Sequence, residues 1–147
     1  MISVKVSTDN LKRFGEAAAG VKDFTRPNRE IAIELYRWML RNYDSGGSLV
    51  GGWTPLSPRT AAYKAKRGWS TVPLAPRTGR LRMGFSYSSN NERAVAFNPV
   101  PYSAYHDKGA PSRNLPRRQL LPNAENVEKY AARIYQAHVD KHLKGKS

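Results

Sequence analysis

Cysteine is absent from this 147-residue chain. That excludes a disulfide framework, a thiolate metal site and a cysteine nucleophile, and it fits synthesis in a reducing cytoplasm. Long hydrophobic runs are also missing. No apolar stretch approaches the roughly 18 residues that a membrane-spanning helix needs. Met1 to Val6 has no hydrophobic core of the signal-peptide kind, so no export signal is expected. Acidic residues are scarce, 11 against 25 basic, which leaves a net charge of +14. Such a balance favours nucleic acid, acidic protein surfaces or anionic lipid as neighbours and says nothing of fold. The carboxylates also stand singly along the chain, whereas a nuclease or glycosidase wants clustered acids to hold metal or to share acid and base roles.

What is present suits one domain, 1–147, with enough apolar and aromatic residues for a packed core. Ile2, Val4 and Val6 alternate with polar residues, as a half-buried strand does. Asp9 can cap a helix through Leu11, Phe14, Ala18 and Val21. Thr25-Arg26-Pro27 reads as a second helix start, followed by a face of Ile31, Leu35, Trp38 and Met39. Asp44 to Gly52 holds two Gly-Gly pairs and reads as a flexible loop that neighbouring subunits would have to hold. Ser57-Pro58 has the form of an N-cap and first turn, so a short basic helix from Pro58 to about Arg67 is expected, ended by Gly68. Pro73 and Pro76 favour an extended segment. Leu81, Met83, Phe85 and Tyr87 then alternate with Arg80, Arg82, Ser86 and Ser88, which predicts a strand with Arg80 and Arg82 on its exposed face. Asn90-Asn91 makes a turn into a second strand through Val95 and Phe97. A short helix over Pro101 to Asp107 should end at Gly109, and a proline-interrupted loop should follow. A last helix from about Asn123 to His142 carries a stripe of Val127, Tyr130, Ala131, Ile134 and Ala137. The expected fold class is α+β, a small antiparallel sheet packed against two to three α-helices.

Candidate chemistry is thin. His138 and His142 could share a helical face, but Val139 stands where a metalloprotease pattern needs glutamate, and no third ligand is near in sequence. Gly145-Lys146-Ser147 mimics the end of a phosphate loop without the upstream glycine. Ser57 lacks a Gly-x-Ser-x-Gly setting, and His106-Asp107 are sequence neighbours whose side chains need not meet. No catalytic residue, metal site or cofactor is expected. The stretch Tyr63, Lys64, Lys66, Arg67 and Trp69 mixes basic and aromatic residues and could meet phosphates and stack on bases. The plainer expectation packs Tyr63 and Trp69 onto the core and leaves the lysines in water.

Four short motifs follow one another in fixed order: Trp53-Thr54-Pro55-Leu56-Ser57-Pro58, Thr78-Gly79-Arg80-Leu81, Pro101-Tyr102 with Tyr105-His106 and Gly109, and Pro116-Arg117-Arg118-Gln119-Leu120-Leu121. In this order they resemble the virion-morphogenesis family of tailed bacteriophages, the tail-completion and head-tail-joining (neck) proteins of Mu-like and lambda-like phages. The likeness covers most of the chain. It departs at Leu120, where such proteins often carry an aromatic, and at Asp107-Lys108, where a neutral residue is usual. Physically these motifs are joints: Pro and Gly fix the backbone, Thr78 can bond locally, and Leu81 and Leu121 serve as core anchors.

The resemblance implies a structural virion protein and no enzyme. It implies a homo-oligomeric ring around the DNA exit channel, hexameric first and dodecameric second. Its implied partners are the head connector or stopper, the tail terminator or tail tube, and the genomic duplex passing through; its place is the virion neck. The basic patch facing DNA or a partner is expected at Arg59, Lys64, Lys66 and Arg67, with Arg80 and Arg82 second. The competing class is a free-standing basic nucleic-acid-binding protein, although no recognition-helix, zinc-finger or RNP-type signature is present.

Overall fold

The computed structural model describes residues 1–8, 20–74 and 79–145. The helix expected after Asp9 falls outside the described residues except for Val21, as do Pro76 and Thr78. Among the described residues the elements are β1 (Ile2–Ser7), α1 (Thr25–Asp44), α2 (Pro58–Lys66), α3 (Arg80–Met83), β2 (Ser86–Ser89), β3 (Arg93–Asn98), α4 (Ser103–Lys108) and α5 (Ala124–Lys144). Single 3-10 turns lie at Ser48–Val50 and Pro111–Arg113. The strands form one antiparallel sheet in the order β1-β3-β2, so the fold class is α+β, as expected. The chain sorts into two compact units. The first comprises Met1–Ile2, Trp38–Ser86 and Asn98–Leu121; the second comprises Ser3–Arg37, Tyr87–Phe97 and Pro122–Ser147.

In the second unit, α1 begins under the control of Asp23 rather than Thr25. The Asp23 carboxylate accepts from the Thr25 amide at 3.0 Å, and the Phe24 amide donates to Asn91 Oδ1 at 2.6 Å. Ile31 and Leu35 are fully buried as the helical spacing requires, with Ala32 beside them. In α5, capped by Asn123 Oδ1 on the Asn126 amide at 2.9 Å, the buried stripe is Ala131, Ile134, Tyr135 and Val139. Ala137, expected inside, is exposed. The stripe turns because Tyr135 has a polar destination: its hydroxyl donates to Asn28 Oδ1 at 2.5 Å, and its ring meets Phe24 edge-on. Burial pushes the Tyr135 phenol up to about 12, so it stays a donor throughout the ordinary pH range. Asn28 Nδ2 donates in turn to the Asn90 carbonyl, and Asn90 Oδ1 accepts from the Glu92 and Arg93 amides, closing the expected hairpin turn.

In the first unit, the glycine-rich loop supplies its own partners. The Gly47 amide donates to the Asn42 carbonyl at 2.7 Å, Gly52 to Gly47 at 2.8 Å and Trp53 to Gly46 at 2.9 Å. The loop therefore gives no reason to invoke a neighbouring subunit. Pro73 and Leu74 form a turn rather than an extended segment, with Leu74 at φ 59 and its carbonyl accepting from the Tyr43 hydroxyl. The strand expected from Leu81 begins only at Ser86. Arg80 to Met83 is one helical turn because Gly79 enters it at φ 75 and tertiary bonds take its polar groups. The Leu81 carbonyl accepts from Asn98 Nδ2 at 2.8 Å, and Arg82 grips Asp44 through two bonds at 2.7 and 2.8 Å. Leu81 and Phe85 are buried, but Met83 and Tyr87 are exposed, so the period-two reading fails there.

The two glycine turns differ in what a side chain would meet. At Gly79 the nearest atom to an added Cβ is Met83 Cε at 3.6 Å. At Gly47, also at positive φ, the Cβ would lie 2.2 Å from the Trp53 ring. Gly79→Ala should cost roughly 1–2 kcal/mol, the left-handed backbone alone. Gly47→Ala should exceed it by a further ~1–3 kcal/mol of overpacking. Urea unfolding of both variants checks the order.

Candidate functional site

Residues 116–120 form no regular secondary structure, yet Arg118 and Leu120 are buried. Buried backbone polar groups must be paired, and this segment finds its partners in the other motifs of the first unit. The Arg118 amide donates to the His106 carbonyl at 2.8 Å. One carboxylate oxygen of Asp107 accepts from the Leu120 amide at 2.8 Å and the Leu121 amide at 3.1 Å. The Gln119 carbonyl accepts from both Asn42 Nδ2 and Trp53 Nε1, each at 2.9 Å. Arg118, 5% exposed as a residue, reaches back through its guanidinium to the carbonyls of Thr54 at 3.0 Å and Pro55 at 3.3 Å. Three of the four motifs thus meet in one knot of hydrogen bonds.

The remaining motif residues serve the same scaffold. Ser57 Oγ accepts from the Thr60 amide at 3.2 Å and caps α2. Leu56 and Pro116 are half-buried. Gly109 sits at φ 76 where a Cβ would lie 2.9 Å from the Arg117 amide nitrogen, so the α4 end and the 116–121 segment approach as closely as only glycine allows. Tyr102 packs edge-on to His106 and has the Arg80 guanidinium 5.9 Å from its ring centre. Leu81 is a core anchor as expected, but Leu121 is not. It is half-buried, and Leu120 is the residue with no exposure. The aliphatic side chain at the departure from the family pattern is itself the anchor.

Sequence reading missed Asp107, Asn42, Gln119 and Asn98 as organisers. In the sequence Asp107 stands out as a neighbour of His106 and as a charged departure from the resembled pattern, and no local pattern marks a carboxylate that serves backbone amides thirteen residues on. His138 Nε2 lies 2.9 Å from the Asp23 carbonyl, so that histidine contacts the α1 entry. Among the described residues no group of three or more metal-ligating side chains occurs, and no helix is long and apolar enough to cross a membrane.

The expected basic patch is divided. On α2, Arg59, Ala62, Tyr63 and Lys66 stand at i, i+3, i+4 and i+7 and are all exposed, while Ala61 and Lys64 on the other side are half-buried. No residue of this nine-residue helix is buried. The aromatics do not enter the core: Tyr63 is 53% exposed and meets Trp69 edge-on at 6.1 Å. Gly68 at φ 71, with the Trp69 amide bonded to the Lys64 carbonyl and the Gly68 amide to Ala65, makes a Schellman end. Its usual apolar contact is this Tyr63–Trp69 pair. Arg67 covers the Tyr63 ring at 4.4 Å. Arg80 and Arg82, expected on a strand face, lie on α3. Arg82 is tied to Asp44, whose carboxyl it holds below the usual range by that hydrogen bond. Being half in water, the pair adds at most ~1 kcal/mol.

His106 has a sealed Nδ1 with no hydrogen-bond partner. Burial pushes its imidazole below the ordinary 6.5, and the Arg118 charge acts in the same direction. The unfolded chain therefore binds this proton more readily than the folded one. Stability from this group is complete above about pH 6.5 and is lost as pH falls from there towards the depressed folded pKa. Urea titrations between pH 7.5 and about 5 should show that loss in the wild type, and His106→Phe should remove it.

No known protein family, curated protein or solved structure matches the chain.

Proposed function

We propose that this protein is a structural part of a tailed-phage particle, a neck or tail-completion subunit that assembles into a ring at the head-tail junction. One observation carries the reading: the motif side chains that resemble that family are engaged in holding backbone within the first unit. Trp53 and Arg118 bind carbonyls, Ser57 caps a helix, and Gly79 and Gly109 make turns. Residues that recur as joints suit a part whose work is shape. What supports a docking role is surface composition. Met83 is 73% exposed beside a shallow groove lined by Arg80, Gly84, Pro99 and Pro101, an apolar and basic rim suited to a protein contact. The mechanism is assembly through complementary surfaces, with no bond made or broken.

Native mass spectrometry and negative-stain imaging of the purified protein, alone and with isolated tails, test this. Six-membered rings, or their appearance on the tail end, are expected; twelve-membered rings would keep the role and move it towards the portal side. A monomer at every concentration that also fails to join tails overturns the proposal.

A further inference from the structure

The charge is unevenly divided between the two units. The first holds twelve basic residues against two acidic, net +10; the second holds thirteen against nine, net +4. Both acids of the first unit are engaged internally, Asp44 by Arg82 and Asp107 by the amides of Leu120 and Leu121. From Ser45 to Asn91 the sequence has no acidic residue at all. In that stretch lies α2, a nine-residue helix with nothing buried. Helices this short are marginal alone in water. This one is held by its Ser57 cap, its Pro58 first turn and its Schellman end, and among the described residues its exposed stripe of Arg59, Ala62, Tyr63 and Lys66 shows no hydrogen bond or ion pair from a charged side chain, the Tyr63 ring contacts standing alone.

We infer that the outer face of α2 is a contact for the phosphate backbone of duplex nucleic acid, made by Arg59 and Lys66 without reading sequence. A helix whose charged residues are all basic complements a continuous polyanion better than it complements a protein face of mixed charge. The aromatic residues bear on duplex against single strand. Tyr63 meets Trp69 edge-on and carries Arg67 over one ring face at 4.4 Å, so its first role is to close the helix end; stacking of an unpaired base on the ring is the competing outcome that the test reads. One turn separates Arg59 from Tyr63 and a second reaches Lys66, about 10 Å in all by helix rise. That span matches a short run of phosphates along one strand. This contact deepens the assembly reading and rests on it only in taking the packaged genome as the duplex.

The test is a salt series, from roughly 50 to 200 mM, of binding between the full-length protein and a short random-sequence duplex. It compares wild type with Arg59→Gln/Lys66→Gln and with a control of equal charge loss in the second unit, Lys22→Gln/Lys129→Gln. All four positions are exposed, and glutamine keeps helix propensity, so folding is unaffected. The slope of log affinity against log salt should fall by about 2 in magnitude for the α2 variant and hold for the control. Equal slopes in both variants overturn the inference, since the attraction is then diffuse. Tighter binding to oligo-dT than to duplex, lost in Tyr63→Ala, overturns it in favour of base stacking. Binding to poly-glutamate but not to duplex overturns it in favour of an acidic protein. Ring formation by the same variants is read in parallel: normal rings with an unchanged slope remove the phosphate contact and leave the assembly role standing.

Discussion

Most of the first unit depends on how the irregular segment 116–121 satisfies its buried backbone. A strand would pair its amides along a ladder; this segment has none and draws partners from side chains far away in sequence. The carboxylate of Asp107 takes two amides, and the carbonyl of Gln119 takes the Trp53 indole and the Asn42 amide. Each of these bonds is worth on the order of 1 kcal/mol net, but leaving one of the groups orphaned costs about 1–3 kcal/mol. The constraint is thus asymmetric. The knot adds little beyond balance when complete, and removal of any member exposes the rest to the full desolvation cost.

That arrangement explains why the motif residues look unreactive. Arg118 is buried against carbonyls, so its charge is unavailable to a ligand. Gly109 exists to let two backbones approach, and the glycine loop after α1 is shaped by Trp53, which would collide with any side chain at Gly47. Within the first unit, the charge that remains accessible lies instead on α2 and on other exposed residues such as Lys108 and Arg113. In the first unit, scaffold and surface charge are therefore carried by different residues.

Elements with a strong period were legible in the sequence. Ile31, Leu35, Trp38 and Met39 on α1 and the Ser57-Pro58 start of α2 follow from spacing and capping chemistry alone. The Asn90-Asn91 turn and the end of the short helix at Gly109 were equally readable. What failed did so where tertiary hydrogen bonds override local pattern. Arg80 to Met83 alternates like a strand but winds into a turn, because Asn98 takes the Leu81 carbonyl and Asp44 takes Arg82. Tyr135 displaces Ala137 from the buried stripe because its hydroxyl reaches Asn28. The knot itself is not legible in the sequence: the motifs stand out by their order, but Asp107, Asn42 and Gln119 bear no local signature of a partner more than ten residues away.

The central claim is that the motifs are joints of one cooperative scaffold. Native-state hydrogen exchange by NMR tests it most directly, through the Leu120 and Leu121 amides and the Trp53 indole N–H. These three donors have only side-chain or irregular-backbone acceptors. If the knot closes the first unit, they should exchange only through global unfolding, at the same free energy as the buried amides of α1 around Met39. Exchange of these donors at nearly unprotected rates, while the α1 amides remain slow, would show that the segment opens on its own and that the motifs do not act together.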